Sequence, residues 1–273
     1  MNASHGFPSF EVLLPKLDQF IHQLVHDHQA GKINSWEQLE EKVNAFFTPE
    51  QMEHVESIIP HWCKMASYTD GITLVHVMCV FIGLYMMPEF FSLAKERQEI
   101  MKWVILFHDV EKEVQKGKRD HPHAFRSAVG AARTLPTLGF PVTSEYDSLI
   151  DSWDKFTRSA ITKLENSPDH VQDNRKLPTI LDGIERMFGH KTAATLIIKT
   201  ILLHLSVDMQ PWSPATPLTD AEVRRYLDSD LAALLRVMNL GDSEGWNMFE
   251  ISRESLRNST LAAFRKVEHL ILK

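Results

Sequence analysis

Cysteine is almost missing: Cys63 and Cys79 are the only two in 273 residues. Two thiols cannot build a disulfide framework, so a reducing compartment, the cytoplasm by default, is expected. Positive charge is also in deficit. Lys and Arg total 29 against 36 Asp and Glu, a formal net charge of −7. General nucleic-acid binding needs a broad basic face, and this balance argues against it. There is no long uninterrupted apolar run. The most hydrophobic stretch, ITLVHVMCVFIGLYMMPEFF, carries His76 and Pro88 and is short for a membrane span, so it reads as a buried helix. MNASHGFPSFEVLLPKLD has no basic region ahead of an apolar core, so no signal peptide is expected. A G-x-G-x-x-G loop, a P-loop and a G-x-S-x-G nucleophile turn are all absent, although Ser127 and Ser206 lie near histidines in sequence. Hairpin signals between alternating runs are lacking as well.

What is present is helical periodicity. FEVLLPKLDQFIHQLVHDHQAG, SWEQLEEKVNAFF and PEQMEHVESIIPHWCKMA carry apolar residues three and four apart. Ser35 is a good N-cap, with Gln38 as a capping-box partner. Helices are expected over 71–87, 89 to about 113, 124–135, 144–165, 177–188 and 191–207. Loops are expected over 115–120, 167–174 and 210–219, the last rich in proline and serine. The fold class is therefore all-α, with residues 1–68 as a helical extension packed on a core of residues 69–273.

The stretch LFHDVEKEVQKGKRDHPHAFRSA, Leu106 to Ala128, concentrates chemistry. Transition metals take neutral imidazole and carboxylate ligands. His76, His108 and Asp109 are of these types, and each sits in or at the end of an apolar helix. An unsatisfied polar group there costs about 1–3 kcal/mol. Neighbouring helical side chains diverge by about 100°, so His108 and Asp109 can share an ion only at a helix end. With Pro122 at the first helical position, His123 falls in the first turn, where the helix dipole disfavours imidazolium and keeps the ring ligand-ready. His121 would lie near the cap, more exposed. A late aspartate is needed to close the set. Asp208 shares a helix face with His204, four residues earlier, whereas Asp242 has the better chain order. Lys112, Lys116, Lys118, Arg119 and Arg126 surround the ligands with positive charge, which suits an anionic substrate; Arg126 can grip phosphate oxygens in bidentate fashion. His22, His26 and His28 read as a solvated face without acidic partners, and the methionines, Met86 and Met87 included, as core filler.

LFHDVEK (Leu106–Lys112), RDHPHAFRSAVG (Arg119–Gly130) and LAALLRVMNLGDSEG (Leu231–Gly245) together resemble the HD superfamily of helical metal-dependent phosphohydrolases. Lys112 falls at that family's lysine position, and Glu111 stands where the family pattern has glycine. The nearest similarity is to the HD domain of bacterial CCA-adding enzymes, over residues 69–246, without any nucleotidyltransferase half. The resemblance implies an HD-like helical bundle with metal ligands His76, His108, Asp109 and Asp242. It further implies that His123 and His204 serve a second metal or the substrate phosphate. The implied cofactor is one or two divalent ions among manganese, nickel, cobalt, magnesium, zinc and iron.

Three functions follow as expectations. The first is a metal-dependent phosphohydrolase acting on a small phosphomonoester or phosphodiester, possibly a nucleotide. In it Asp109 helps take the proton of the attacking water, and Lys112 and Arg126 act as catalytic and substrate-binding cations. The second is a di-iron oxygenase on the same fold. The third is a metal- or ligand-binding signalling module without turnover.

Overall fold

Proline and the spacing of apolar residues cut this chain into helices. In the computed structural model, residues 6–67, 72–113, 120, 122–163, 170–207 and 217–273 are described. The first helices are α1 (Phe10–Leu13), α2 (Pro15–Gln29), α3 (Trp36–Phe46), α4 (Pro49–Ile58), α5 (Trp62–Ser67), α6 (Ile72–Met86), α7 (Pro88–Phe91) and α8 (Lys95–Phe107). There follow α9 (His123–Thr134), α10 (Tyr146–Arg158), α11 (Leu177–Phe188), α12 (Ala193–Leu203), α13 (Asp220–Tyr226), α14 (Ser229–Asn247) and α15 (Arg253–Ile271). The chain is thus predominantly all-α. No helix among the described residues is long and apolar enough to cross a membrane.

Boundaries move where proline acts. Pro15 lacks an amide proton and opens α2 as its first residue, so the single helix expected from Phe10 breaks after Leu13. Pro88 does the same for α7, and the helix expected over 89–113 becomes α7 and α8, with His108 as the C-cap of α8. Pro122 is the N-cap of α9 rather than its first residue. Ser35 caps α3 as expected, but the Gln38 side chain accepts from the Asn34 amide, so the capping box closes one residue early.

The helix expected over 144–165 stops at Arg158. Ile161–Lys163 (β1) and His170–Gln172 (β2) instead pair antiparallel, with Ile161 opposite Gln172 and Lys163 opposite His170. Strands this short leave too few alternations to register as a period-two pattern. Gln172 Nε2 donates to Ser206 Oγ at 2.7 Å, which ties this hairpin to the end of α12.

Helix α6 is the axis of the core. Residues Val77 to Ile82 on it are all buried, and α2, α3, α5, α8 and α14 pack around it. Helices α8, α9 and α12 form the adjoining layer, with α12 between α8, α9 and α14. Residues Phe10, Leu17, Ile21, Leu24 and Val43 of the N-terminal helices belong to the same buried cluster. Helix α14 lies close to α6 because Gly241 and Gly245 face it. A methyl group at Gly245 would come within 2.5 Å of both His76 Cε1 and Val80 Cγ2.

Candidate metal centre

Three helix ends and two helix interiors meet at a single buried point. His76 lies within the second turn of α6, and His108 caps the C-terminus of α8, with Asp109 the next residue. His123 opens α9, His204 caps the C-terminus of α12, and Asp242 projects from α14. Their ligand atoms form two groups, His76–His108–Asp242 and Asp109–His123–His204. Within each group the atoms lie within 4.8 Å of one another. Ligand atoms about 2.0–2.2 Å from a common ion are separated by about 3–4.4 Å, so both groups have the span of a coordination shell.

Three of the histidines are oriented by the same device. His108 Nδ1 donates to Ile105 O at 2.6 Å, His204 Nδ1 to Ile201 O at 2.7 Å, and His123 Nδ1 to Asp120 O. In each case the acceptor is the carbonyl three residues earlier. A ring that donates from Nδ1 presents the Nε2 lone pair on its other side, as a metal ligand requires. His76 differs. Neither of its ring nitrogens makes an aligned hydrogen bond, and its plane is fixed by stacking on Trp246 at a centroid distance of 4.2 Å.

Asp109 joins the two groups. Its Oδ2 lies 3.6 Å from both His76 Nε2 and His108 Nε2, and its Oδ1 lies 3.0 Å from His123 Nε2. Asp242 Oδ1 sits 3.0 Å from His76 Nε2 and 3.8 Å from His108 Nε2. Yet His76 Nε2, His108 Nε2, His204 Nε2 and Asp109 Oδ1 are buried without an aligned hydrogen bond. Leaving such groups unpaired costs about 1–3 kcal/mol each. Polar atoms close in space but not aimed at one another fit a common partner between them. By that test the donor set fits one or two metal ions.

The electrostatics agree. Burial pushes the His108 imidazolium below its ordinary range, and burial, with His123 and His108 adding, pushes His204 down to about 3. Both rings are neutral at pH 7. Burial alone would raise the Asp109 carboxyl; Lys112, His108 and His123 outweigh it and hold the group well below the usual carboxylate range. Asp242 is likewise held low, burial being outweighed by His76 and His108. Lys112 stays charged despite its burial because Asp109 and Asp242 face it. Two carboxylates against one ammonium leave a buried negative charge that a cation would offset.

The site opens beside α14. Asp242 is about a quarter exposed (26%) and Lys112 less so (15%), whereas the Asp109 side chain is sealed. Trp246, 45% exposed, stands at this opening with Lys112 Nζ 5.3 Å from its ring centroid. The sequence reading overlooked Trp246. Its signal was present: it follows Asp242 by four residues on one helix, so both project from the same face.

Not every expected residue reaches the centre. Arg126 spends its Nε on the Glu111 carbonyl at 3.2 Å and its Nη2 on the Asp120 carboxylate. The same Asp120 supplies the carbonyl that orients His123. Glu111, at the position where glycine was expected, is buried, with His61 Nδ1 3.6 Å from its Oε1. Asp208, Lys116, Lys118, Arg119 and His121 lie outside the described residues. His22 and His26, read as lacking acidic partners, lie 3.6 Å from Asp18 and Asp27 respectively, but build no cluster of ligand atoms. Cys63 and Cys79 are free thiols and belong to neither group of ligand atoms. Comparison with known proteins adds no family to this geometry: no family model matches the chain, and neither a curated protein nor a solved structure matches it.

Proposed function

We propose that this protein is a metal-dependent phosphohydrolase built on an HD-type helical bundle, acting on a small phosphate ester. The observation that carries the proposal is the double-faced carboxylate of Asp109. One oxygen faces His76 and His108, and the other faces His123, between two sets of orphaned ligand atoms. His76, His108, Asp109 and Asp242 would hold one ion, and Asp109, His123 and His204 a second. With imidazole predominating in the donor set, iron, nickel and zinc suit it better than magnesium, and the two carboxylates also admit manganese. A divalent ion in such a place supplies Lewis acidity toward a phosphoryl oxygen and a nucleophile from water near neutral pH.

The chain's own residues do the rest. The three carbonyl-tethered histidines arrive preoriented, so no reorganisation is needed when the ion binds. Asp109 is ionised and, sealed from bulk solvent, would accept a proton only from water held within the centre. Lys112 offers a positive charge beside the opening, where a substrate anion enters. Arg126 acts through Asp120 as a positioning residue for His123. A second reading, a di-iron oxygenase, draws on the same bridging carboxylate, because two adjacent sites on one carboxylate also suit a pair of irons.

Purified protein should retain close to one or two transition-metal ions per chain by elemental analysis. Stripped protein should regain hydrolysis of phosphomonoesters or diesters on adding manganese, cobalt or nickel. No turnover of such a panel with any of these metals, together with oxygen consumption by the iron form, would replace hydrolysis with the oxygenase reading.

A further inference from the structure

The ammonium of Lys112 stands where a metal's positive charge would be needed. Its Nζ lies 2.6 Å from Asp109 Oδ2, the oxygen that faces His76 and His108 at 3.6 Å each. An ion seated between those two imidazoles has this same oxygen within ligand reach. A charge-assisted hydrogen bond of that length takes one of that oxygen's two lone pairs, and an ammonium and a metal ion held close to one carboxylate oxygen repel. The side chain also has somewhere to go. The Trp246 ring, half-exposed at the opening, lies 5.3 Å from Nζ, and the face of an indole attracts an ammonium.

We propose that Lys112 is a resident counter-cation that competes with the first metal ion for Asp109 Oδ2, and that metal loading displaces its ammonium toward the indole of Trp246. Without metal, the ammonium compensates a carboxylate that would otherwise be buried and unpaired, which costs heavily. With metal, the charge is moved to the opening rather than lost. The cation that meets an incoming anion is thereby released only when the centre is loaded, so metal precedes substrate. The inference rests on the metal-centre reading above but not on the identity of the reaction.

The test is calorimetric titration of stripped protein with manganese alone. Lys112→Met and Lys112→Gln remove the competing charge and should bind manganese about tenfold or more tightly than wild type, the equivalent of one lost charge-assisted bond. Lys112→Arg keeps the charge and should stay near the wild-type affinity. A ligand or purely structural role predicts the reverse for Met and Gln: equal or weaker binding, which overturns the proposal. Wild-type protein alone gives a second test that needs no folded variant. Crystal structures of stripped and manganese-loaded protein should show Nζ bonded to Asp109 Oδ2 in the first, and out of hydrogen-bond reach over Trp246 in the second. An unbroken Lys112–Asp109 bond beside a bound ion would refute displacement. Failure of wild type and all variants to bind manganese, zinc or iron would remove the metal centre itself, and this proposal with it.

Discussion

Gly245→Ala should damage the centre without replacing any ligand residue. A Cβ at this position would lie 2.5 Å from His76 Cε1, 2.5 Å from Val80 Cγ2 and 2.6 Å from His76 Nδ1. Carbon atoms rest about 3.5–4.0 Å apart, so the methyl overlaps two partners by about 1 Å at once. Both are sealed in the core, His76 at 1% and Val80 at 0% exposure. Either α14 backs away from α6, or the His76 ring turns out from Asp242 and from its stack on Trp246. Overpacking of this kind costs about 1–3 kcal/mol. Helix propensity alone predicts the opposite sign, a gain of about 1 kcal/mol for replacing glycine in a helix interior. Gly241, one turn earlier on the same face, is the control: its methyl would meet Val80 Cγ1 at 3.2 Å, a gap that a small shift can open. The assay is thermal denaturation with metal content measured on the same samples. Gly241→Ala should melt near wild type with full metal. Gly245→Ala should melt several degrees lower, at about 2–4 °C per kcal/mol for a chain this long, and lose bound metal. A Gly245→Ala protein as stable as wild type and fully loaded would refute the packing argument.

Other perturbations separate the parts of the site. Asp109→Asn should empty both halves of the centre, while Asp242→Asn should empty only the His76–His108 half; elemental analysis of each variant decides, and full metal in Asp109→Asn would remove the bridging role. His204→Phe tests the buried imidazole by pH. Its folded-state value of about 3 against 6.5 unfolded means that the unfolded chain takes up a proton the folded chain refuses. Its contribution to stability is therefore intact above pH 6.5 and is lost as pH falls from 6.5 toward 3, by about 1.4 kcal/mol per pH unit. Urea unfolding of stripped protein between pH 4 and 7 should show a shallower pH slope in His204→Phe, and an unchanged slope would contradict the assignment. Arg126→Ala frees Asp120 and loosens the carbonyl that orients His123. Losing a group of that kind weakens metal binding by about tenfold or more, whereas an effect confined to the Michaelis constant of a phosphate substrate would place Arg126 on the substrate instead.

The chain's one-dimensional pattern determined the helical class and the ligand types, because both are local properties. Three- and four-residue apolar spacing specifies a helix wherever it recurs, and α11 runs over the expected 177–188. The order His76, His108-Asp109, His123, His204, Asp242 could also be read directly, since polar groups in apolar helices stand out. Breaks at Pro15 and Pro88 were legible in principle from the missing amide proton. The β1–β2 hairpin was not, because three residues per strand are too few to show a period. Convergence belongs to tertiary structure alone. Nothing near His108 or His204 in the sequence says that both rings will tether to the carbonyl three residues back and aim Nε2 at one point. Only the packing of α14 on α6, permitted by Gly245, brings Asp242 to 3.0 Å from His76 and lays Trp246 on that ring. Packing likewise turned Arg126 toward Asp120, because a guanidinium close to a carboxylate and a carbonyl spends its donors there rather than on an anion still in solvent. Residues far apart in the chain acquire a common function when helix packing fixes their distances, and those distances are set by the side chains at each contact.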